Sequence, residues 1–414
     1  MTARVAQIVT PHAEEAILPP PPAPLSADFL DRVRDGASRR DAERILPFEL
    51  VDELKRLRFG ARRLAVAHGG AGASLTEGFA AAIDLAEADP NLAHIWRNHH
   101  MLIERLVVHE TRHPFLLRLR ERVAAGDLIG LAATELDRAQ TGGPSSFSTT
   151  LRPQGGGHVL TGRKFYSTGS IFADWILVSA SREDGTNVSV IVPRGRDGVE
   201  IIDDWDGMGQ RLTGTGTTIL HGASVSADEV ITPDAVLPHS AVLSSTIAQL
   251  FLTSVVAGII AAIARDAETL LASRRRTFYF APTEQAKDDP ILLAGLGERQ
   301  ADAFAARAVV LSAGSALDAA AAAVAAQTAD VASVVEQAAA AAAKAKIVVD
   351  RLAHAAGSAL YDVAGASSTL KPKNLDRHWR NLRTVTSHNP ASYKAFALGN
   401  LALNGAPLPT LGFF

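Results

Sequence analysis

The sequence contains no cysteine, only three methionines and only 6% aromatic residues in 414 residues. Without cysteine there can be no disulfide framework, thiolate zinc site, iron–sulfur cluster, cysteine nucleophile or dithiol redox couple. Any redox chemistry must therefore come from a cofactor. The sequence also has little excess of charge of either sign, since it contains 41 Lys and Arg and 44 Asp and Glu. A net charge of −3 provides no field for attracting nucleic acid, so we expect no nucleic-acid partner.

The N-terminus lacks the basic start and apolar stretch of a secretory signal. Residues 1–25 instead carry the run Pro19-Pro20-Pro21-Pro22, which predicts a flexible arm that is locally stiff. Residues 247–264 are long and apolar enough to span a membrane. Polar residues and the pair Arg265-Asp266 flank them, so a helix buried in a bundle is the better interpretation. We expect a cytoplasmic protein that does not engage a membrane.

The residue pattern changes character twice along the chain. Residues 26–127 have apolar positions three to four apart, residues 128–236 alternate with period two between Gly, Thr, Ser and Pro, and residues 237–414 are helical again. The Ala-rich residues 313–345 predict one long bundle helix, because alanine has the highest helix propensity. The pattern predicts an α+β protein, mostly α, with a helical domain, a central β-domain and a helical bundle domain.

Glycine-rich segments do not form a nucleotide-binding loop here. Gly155-Gly156-Gly157 lies between two predicted strands and is typical of a hairpin turn. Residues 207–216 lead into a strand, so they lack the helix N-terminus that holds a pyrophosphate.

Two histidines stand out in the helical parts. His99 shares a helix face with Ile95 and Leu102, so it points inward. A core histidine held by the backbone and a functional histidine fit this spacing equally well, and no metal ligands lie near it in sequence. His388 precedes Asn389-Pro390, where the helix must end, and could be presented into a cavity or serve structure alone.

Residues 162–175 place hydroxyl groups beside aromatic side chains at a predicted strand end. Such a segment offers the apolar wall and oriented hydrogen bonds that a flat heteroaromatic ring needs. An ordinary β-hairpin corner is the alternative.

Taken together, these segments resemble the acyl-CoA dehydrogenase superfamily, and within it the flavin-dependent monooxygenases similar to dibenzothiophene monooxygenase. The likeness covers residues 25–414. Its most specific segments are residues 375–384, 387–390, 403–405, 203–205 and 247–250. The resemblance implies the acyl-CoA dehydrogenase-like fold: an N-terminal helical domain, a central β-barrel-like domain and a C-terminal four-helix bundle that assembles a homotetramer.

The resemblance also bears on the reaction. Dehydrogenases of this fold need a carboxylate base, which one large subset carries in a Tyr-Glu-Gly sequence where this chain has Ser387-His388-Asn389-Pro390. The oxygenase relatives have histidines at the places of His388 and His99. The resemblance to these oxygenases implies a two-component monooxygenase that uses O2 to oxygenate a small molecule through a C4a-hydroperoxyflavin. Among small molecules, it points first to an organosulfur compound. Reduced flavin would come from a separate NAD(P)H-dependent flavin reductase.

Three alternatives stay open: an N- or C-hydroxylating monooxygenase of the same fold, an acyl-CoA dehydrogenase with its base elsewhere, and a flavin-free scaffold.

The resemblance implies site residues as well. His99 and His388 would line the space above the flavin, Thr168 would bond near N5, and Tyr166 and Trp205 would wall the pocket. The backbone at the pyrimidine edge would be that of Leu131, Ala133 and Thr134.

The flavin phosphate would be bound by Arg275 or Arg276 of a neighbouring subunit, because a guanidinium binds phosphate oxygens bidentately. The other phosphate contact would be formed by Ser367, Ser368 and Thr369. Residues 362–366 lack the Gln and double Gly of the FAD-binding dehydrogenases, which favours FMN over FAD.

Overall fold

The computed structural model describes residues 20–136, 146–410 and 414. The predicted flexible arm therefore lies mostly outside the described residues. At its described end, Pro22 is buried and the carbonyl of Pro20 accepts a hydrogen bond from Arg58.

The first region of the described structure is helical and extends from Ala27 to Ala125. The helices are α1 (Ala27–Glu43), α2 (Phe48–Arg56), α3 (Leu75–Ala88), α4 (Pro90–Ile95), α5 (Arg97–Leu106) and α6 (Pro114–Ala125). Ser74 and Glu77 form a reciprocal capping box at the start of α3. Only Trp96 separates α4 from α5, so the two short helices run on as one nearly continuous rod.

A mixed sheet follows. Its strands are β1 (Ile129–Ala132), β2 (Thr150–Gln154), β3 (Gly157–Lys164), β4 (Trp175–Ser181), β5 (Asn187–Pro193), β6 (Val199–Ile202), β7 (Thr217–Val225) and β8 (Val230–Ile231). The strand order is β6-β7-β3-β2-β4-β5-β8, and β1 pairs in parallel with β4. Gly155 and Gly156 form the β2–β3 turn with positive φ angles of 58° and 82°, as the glycines predict.

The third region consists of helices α7 (Ser240–Ser273), α8 (Pro290–Ala326), α9 (Val331–Ala364), α10 (Asp376–Thr386) and α11 (Ala391–Asn404). The three long helices pack against one another, α3 inserts against α7 and α8, and α10 lies on α7 and α9. The mostly helical fold with helices, middle sheet and helices confirms the predicted class.

The prediction of one helix over residues 313–345 is wrong. Gln327 adopts a left-handed conformation with φ of 49° and closes α8, and α9 begins at Val331. Alanine favours helix but does not fix where a helix turns, so the break falls at the less helix-prone Thr328 and Asp330. The alanines still pack as expected, because small side chains let α8 and α9 approach closely.

Two of the described helices, α7 and α8, are long and apolar enough to cross a membrane. The most apolar window of α7 is 94% buried within the protein, which explains its composition by core packing. The most apolar window of α8 is 44% buried, and Ile291, Leu293 and Phe304 are exposed in the first half of this helix.

Candidate active site

A buried polar cluster forms where α4, α5, α7, the loop before β7 and the turn after α10 meet. Its side chains are the buried His94, Arg97, Asn98 and Gln210 and the partly buried His388. We call these five residues the polar cluster.

His94 lies at the end of α4, and its Nδ1 is 3.0 Å from Oε1 of Gln210. An amide oxygen can only accept, so Nδ1 carries the proton and the neutral ring presents Nε2 as an acceptor. Nε2 is buried and has no hydrogen-bond partner among the described residues. Burial and the nearby charge of Arg97 lower the pKa of His94 to about 4, so the ring is neutral at pH 7.

Arg97 begins α5 and donates from Nε to the carbonyl of Ala248 at 3.2 Å. Burial lowers its pKa to about 10, which leaves it charged at neutral pH. On the next residue, the Nδ2 of Asn98 donates to the carbonyl of Thr168 at 3.0 Å. Asn98 thereby fixes the Thr168 backbone against α5.

A chain of hydroxyl groups leads from Thr168 into the loop before β7. Thr213 Oγ1 donates to the Gln210 carbonyl at 2.9 Å and lies 2.7 Å from Thr215 Oγ1, which lies 2.8 Å from Thr168 Oγ1. Each hydroxyl has one proton, so Thr213 must accept from Thr215 and Thr215 must accept from Thr168. The Thr168 oxygen therefore faces its surroundings as an acceptor.

His388 lies in the turn between α10 and α11, as its position before Pro390 predicts. Burial, then the charge of Arg97 and the proximity of His94, hold the pKa of His388 well below its usual value. The next residue, Asn389, donates from Nδ2 to Oε1 of Gln249 on α7. The histidine is thus carried on a turn that is tied to α7.

His99 does not join this cluster. Its Nε2 donates to the Gly60 carbonyl at 3.1 Å, and its Nδ1 accepts the Ile129 N–H at 3.0 Å. A Cβ on Gly60 would lie 2.3 Å from Nε2, so the glycine permits this close approach. Both nitrogens are occupied by backbone, which is the structural alternative that the spacing left open. A role for His99 above the flavin stays a prediction, which would require one of these backbone hydrogen bonds to break.

The residues expected to wall the flavin pocket contact one another, and those expected at the pyrimidine edge of the flavin contact residues 164–170. The rings of Tyr166 and Trp205 meet edge to face at 6.1 Å between centroids, and Trp205 Nε1 donates to the Gln210 carbonyl at 3.0 Å. The backbone carbonyls expected at the pyrimidine edge accept hydrogen bonds from residues 164–170. Ser170 donates to Leu131, Lys164 to Ala133, and the Phe165 N–H to Thr134.

The expected phosphate residues lie at the other end of α7. Arg275 and Arg276 are exposed, while Arg274 donates to the Val363 carbonyl at 3.1 Å and so joins this segment to residues 363–369. Ser368 and Thr369 donate their hydroxyl protons to carbonyls of their own turn. Ser367 is exposed.

Sequence reasoning missed His94, Arg97, Asn98 and Gln210. A signal existed for the first three, because positions 94, 97 and 98 are spaced i, i+3 and i+4 and place three polar side chains on one face of residues 92–98, which are otherwise apolar. Gln210 gave no such signal. Its place depends on a left-handed backbone with φ of 52° and on the Asn381 side chain, which accepts its N–H at 2.6 Å.

Models of two acyl-CoA dehydrogenase domains match the chain: the middle domain over residues 130–223 and the C-terminal domain over residues 250–393, together more than half of its length. The chain is 27% identical to the probable FMNH2-dependent monooxygenase SfnC of Pseudomonas putida, over 82% of this chain and 83% of that protein.

Solved structures agree. Methanesulfinate monooxygenase MsuC from Pseudomonas fluorescens is 28% identical with a TM-score of 0.84, covering 94% of this chain and all of that one. FMN-bound TdsC from Paenibacillus sp. A11-2, a dibenzothiophene monooxygenase, is 26% identical with a TM-score of 0.82, covering 93% and 98%. The chain therefore belongs to the acyl-CoA dehydrogenase superfamily, among its flavin-dependent monooxygenases.

Proposed function

We propose that this protein is the oxygenase component of a two-component FMNH2-dependent monooxygenase that oxygenates a small organosulfur compound. The observation that carries the proposal is the proximity of His388 to His94 and Arg97 in a polar cluster whose building segments contain no carboxylate. Those segments are residues 90–103, 166–170, 207–216, 240–265 and 387–390. Removal of a thioester α-proton needs a base at this place, and none of these segments supplies a carboxylate for it.

The residues present fit a flavin. The cluster leaves Nε2 of His94, Oδ1 of Asn98 and Nε2 of Gln210 buried without partners among the described residues, which is the state of a site built to hold a polar ligand. Tyr166 and Trp205 supply an apolar wall next to it. FMN, when bound and reduced, would supply the electrons and react with O2.

The proton chemistry falls to the two histidines. Both are neutral at pH 7, because burial and Arg97 oppose a further positive charge. Either ring would take a proton from water and, because burial holds its pKa low, pass that proton on to the oxygen that leaves during transfer. We assign this role to His94 in place of His99, whose ring nitrogens are occupied by backbone.

Thr168 fits the reduced cofactor. Its oxygen faces the site as an acceptor because its proton is committed to Thr215. N5 of a flavin carries a hydrogen only in the reduced form, so this orientation favours reduced over oxidised FMN.

The phosphate would be held by another copy of the chain. Gln249, which contacts the His388 turn, and Ser273 are 24 residues apart on α7, about 36 Å at 1.5 Å per residue. Arg275 and Arg276 therefore cannot reach a cofactor whose ring lies beside Gln249 of the same chain. Exposed aromatic side chains at Phe278, Tyr279 and Phe280 lie beside these arginines and support a homotetramer in which the copies meet there.

The substrate class follows from the relatives, whose names specify methanesulfinate and dibenzothiophene. We propose that reduced FMN comes from a separate NAD(P)H-dependent flavin reductase, in line with the FMNH2 dependence of SfnC. Both proteins would then work in the cytoplasm.

A single assay tests the function. The protein is supplied with chemically reduced FMN and 18O2, together with methanesulfinate, dimethyl sulfone, dibenzothiophene and an amine. We expect one 18O atom in an organosulfur product, and none with His388→Ala. Reduction of bound FMN by an acyl-CoA without added reductant would instead establish a dehydrogenase.

A further inference from the structure

Arg97 is a buried cation whose charge is not matched by the protein around it. Arg97 is 9% exposed. Among the described residues its guanidinium makes one hydrogen bond, from Nε to the Ala248 carbonyl. No carboxylate lies within 4.0 Å of it among the described residues. Arg299 and Arg377 are about as buried, and each is paired with an aspartate, Asp302 and Asp266 respectively. Of the five N–H groups of Arg97, only Nε–H has a protein acceptor within the described part of the chain.

The surroundings of Arg97 add positive charge. Lys346 and Lys394 also act on the neighbouring His388, and the two lysines share the influence of one carboxylate, Asp350, which lies 2.7 Å from Lys346. Burying a cation without a partner costs several kcal/mol, so the folded chain holds a site that is complete only when an anion is present.

The neighbouring groups define what kind of anion fits. His94, Asn98 and Gln210 leave one buried polar atom each without a partner in the described part of the chain. Gln210 Nε2 is the donor among these atoms, and together with the Arg97 guanidinium it can hold a small head group with two oxygens. His94 Nε2 and Asn98 Oδ1 are acceptors and are left for other groups in the site. The compound must also be oxidisable, since the site adjoins Thr168, where the flavin is proposed to lie.

We propose that Arg97 is the counter-ion of the substrate, and that the site selects a small organic sulfinate over an uncharged sulfur compound of the same shape. This inference rests on the proposed monooxygenase function. It assigns Arg97 a role in specificity rather than in proton transfer. In the reaction, the sulfinate sulfur would be oxidised by two electrons as it gains one oxygen atom from O2, reduced FMN would supply the other two electrons, and the second oxygen atom would leave as water.

Two probes of similar shape isolate the charge. Methanesulfinate and dimethyl sulfoxide both have pyramidal sulfur with three heavy substituents, and differ by an anionic oxygen in place of a methyl group. Binding is measured by titration of the FMN-loaded protein, reduced and free of oxygen, so that no turnover contributes.

We expect the protein to bind methanesulfinate about 30-fold or more tighter than dimethyl sulfoxide, since a hydrogen bond to a charged group is worth that factor. Arg97→Met should abolish this preference and Arg97→Lys should keep part of it. Arg105→Met removes another buried cation from the same helix and should leave the preference unchanged. FMN affinity of each variant reports whether the site has stayed folded.

Equal binding of the two probes, or a preference that survives Arg97→Met, overturns the inference. The same holds if Arg97→Met weakens reduced FMN alone, because the arginine would then serve the cofactor. If neutral compounds are oxygenated without preference for the anion, the monooxygenase function stands and the inference fails. If the anion binds through Arg97 but is never oxygenated, the anion site stands and the proposed function fails.

Discussion

Helices α7 and α10 border two buried groups of charged side chains that differ in how their charges are matched. In one, Asp266 lies 2.8 Å from both Arg377 and His378, and Arg265 pairs with Glu87 at 2.5 Å. Burial alone would raise the pKa of Asp266, but His378, Arg377 and Arg265 hold it well below its usual range. We call this group the ion-paired cluster.

In the polar cluster, the cation Arg97 and the histidines His94 and His388 stand together without a carboxylate in the segments that form it. The difference teaches which group is structural and which is poised for a ligand. Paired charges offset part of each other's desolvation cost, whereas an unmatched buried charge is retained where a ligand supplies the opposite sign.

The largest expected effect is on the ion-paired cluster. Asp266→Asn leaves His378, Arg377 and Arg265 facing one another without their carboxylate. We expect a loss of about 3–5 kcal/mol in the free energy of unfolding, measured by urea denaturation. Asp376→Asn, at an exposed carboxylate that pairs with Arg380 four residues along α10, is the control and should cost less than about 1 kcal/mol. Equal losses in the two variants would show that the cluster does not bear its expected share of stability.

The next effect is on catalysis in the polar cluster. His94→Ala removes a ring whose Nε2 has no described protein partner, so turnover should fall about 100-fold, the usual share of a general acid or base. Stability should change little compared with His99→Ala, which leaves the Gly60 carbonyl and the Ile129 N–H without their partner. For both variants, turnover is measured by product formation with supplied reduced FMN, and stability is measured by thermal unfolding. A reversed result, with His99 controlling turnover and His94 controlling stability, would return the catalytic role to His99.

The third effect is a pH dependence of stability. Burial lowers the pKa of His94 and His100 to about 4 and that of His99 to about 3, so the unfolded chain binds protons below about pH 6.5 that the folded chain does not. Stability should be full above pH 6.5 and fall by about 1.4 kcal/mol per pH unit for each such histidine as the pH drops toward 4.

His99→Gln removes one of these groups and should flatten the slope between pH 6.5 and 4 by that amount, as urea denaturation at stepped pH values would record. An unchanged slope would mean that His99 is protonated in the folded protein.

The smallest effect concerns the hydroxyl chain. Thr215→Val leaves Thr168 free to turn its proton toward the site, so the preference for reduced over oxidised FMN should fall about fivefold, equal to about 1 kcal/mol. Thr161→Val, on the exposed side of β3, is the matched control. The measurement is the Kd for FMN in each redox state. If the preference for reduced over oxidised FMN is the same in Thr215→Val and Thr161→Val, the inferred direction of the hydrogen bonds from Thr168 through Thr215 to Thr213 is wrong.

The fold was largely predictable from the sequence because its signals are local. Helical spacing and strand alternation identified the three regions, and the run at residues 247–264 was correctly assigned to a buried helix. The hairpin turn at Gly155-Gly156-Gly157 implied a strand before it, but the bounds of β2 (Thr150–Gln154) were not predicted. Its sequence Thr-Leu-Arg-Pro-Gln contains no apolar run, and its pairing with β3 decides its conformation. The division of the Ala-rich stretch into α8 and α9 was missed for a similar reason.

By itself the sequence determined that redox chemistry needs a cofactor and that His388 follows the end of a helix. Only the tertiary structure decided which histidines have open nitrogens. His94 and His99 lie five residues apart in similar sequence surroundings, yet one meets Gln210 from a distant loop and the other meets two backbone groups. The partner of a buried polar atom comes from elsewhere in the chain, and packing alone brings it there.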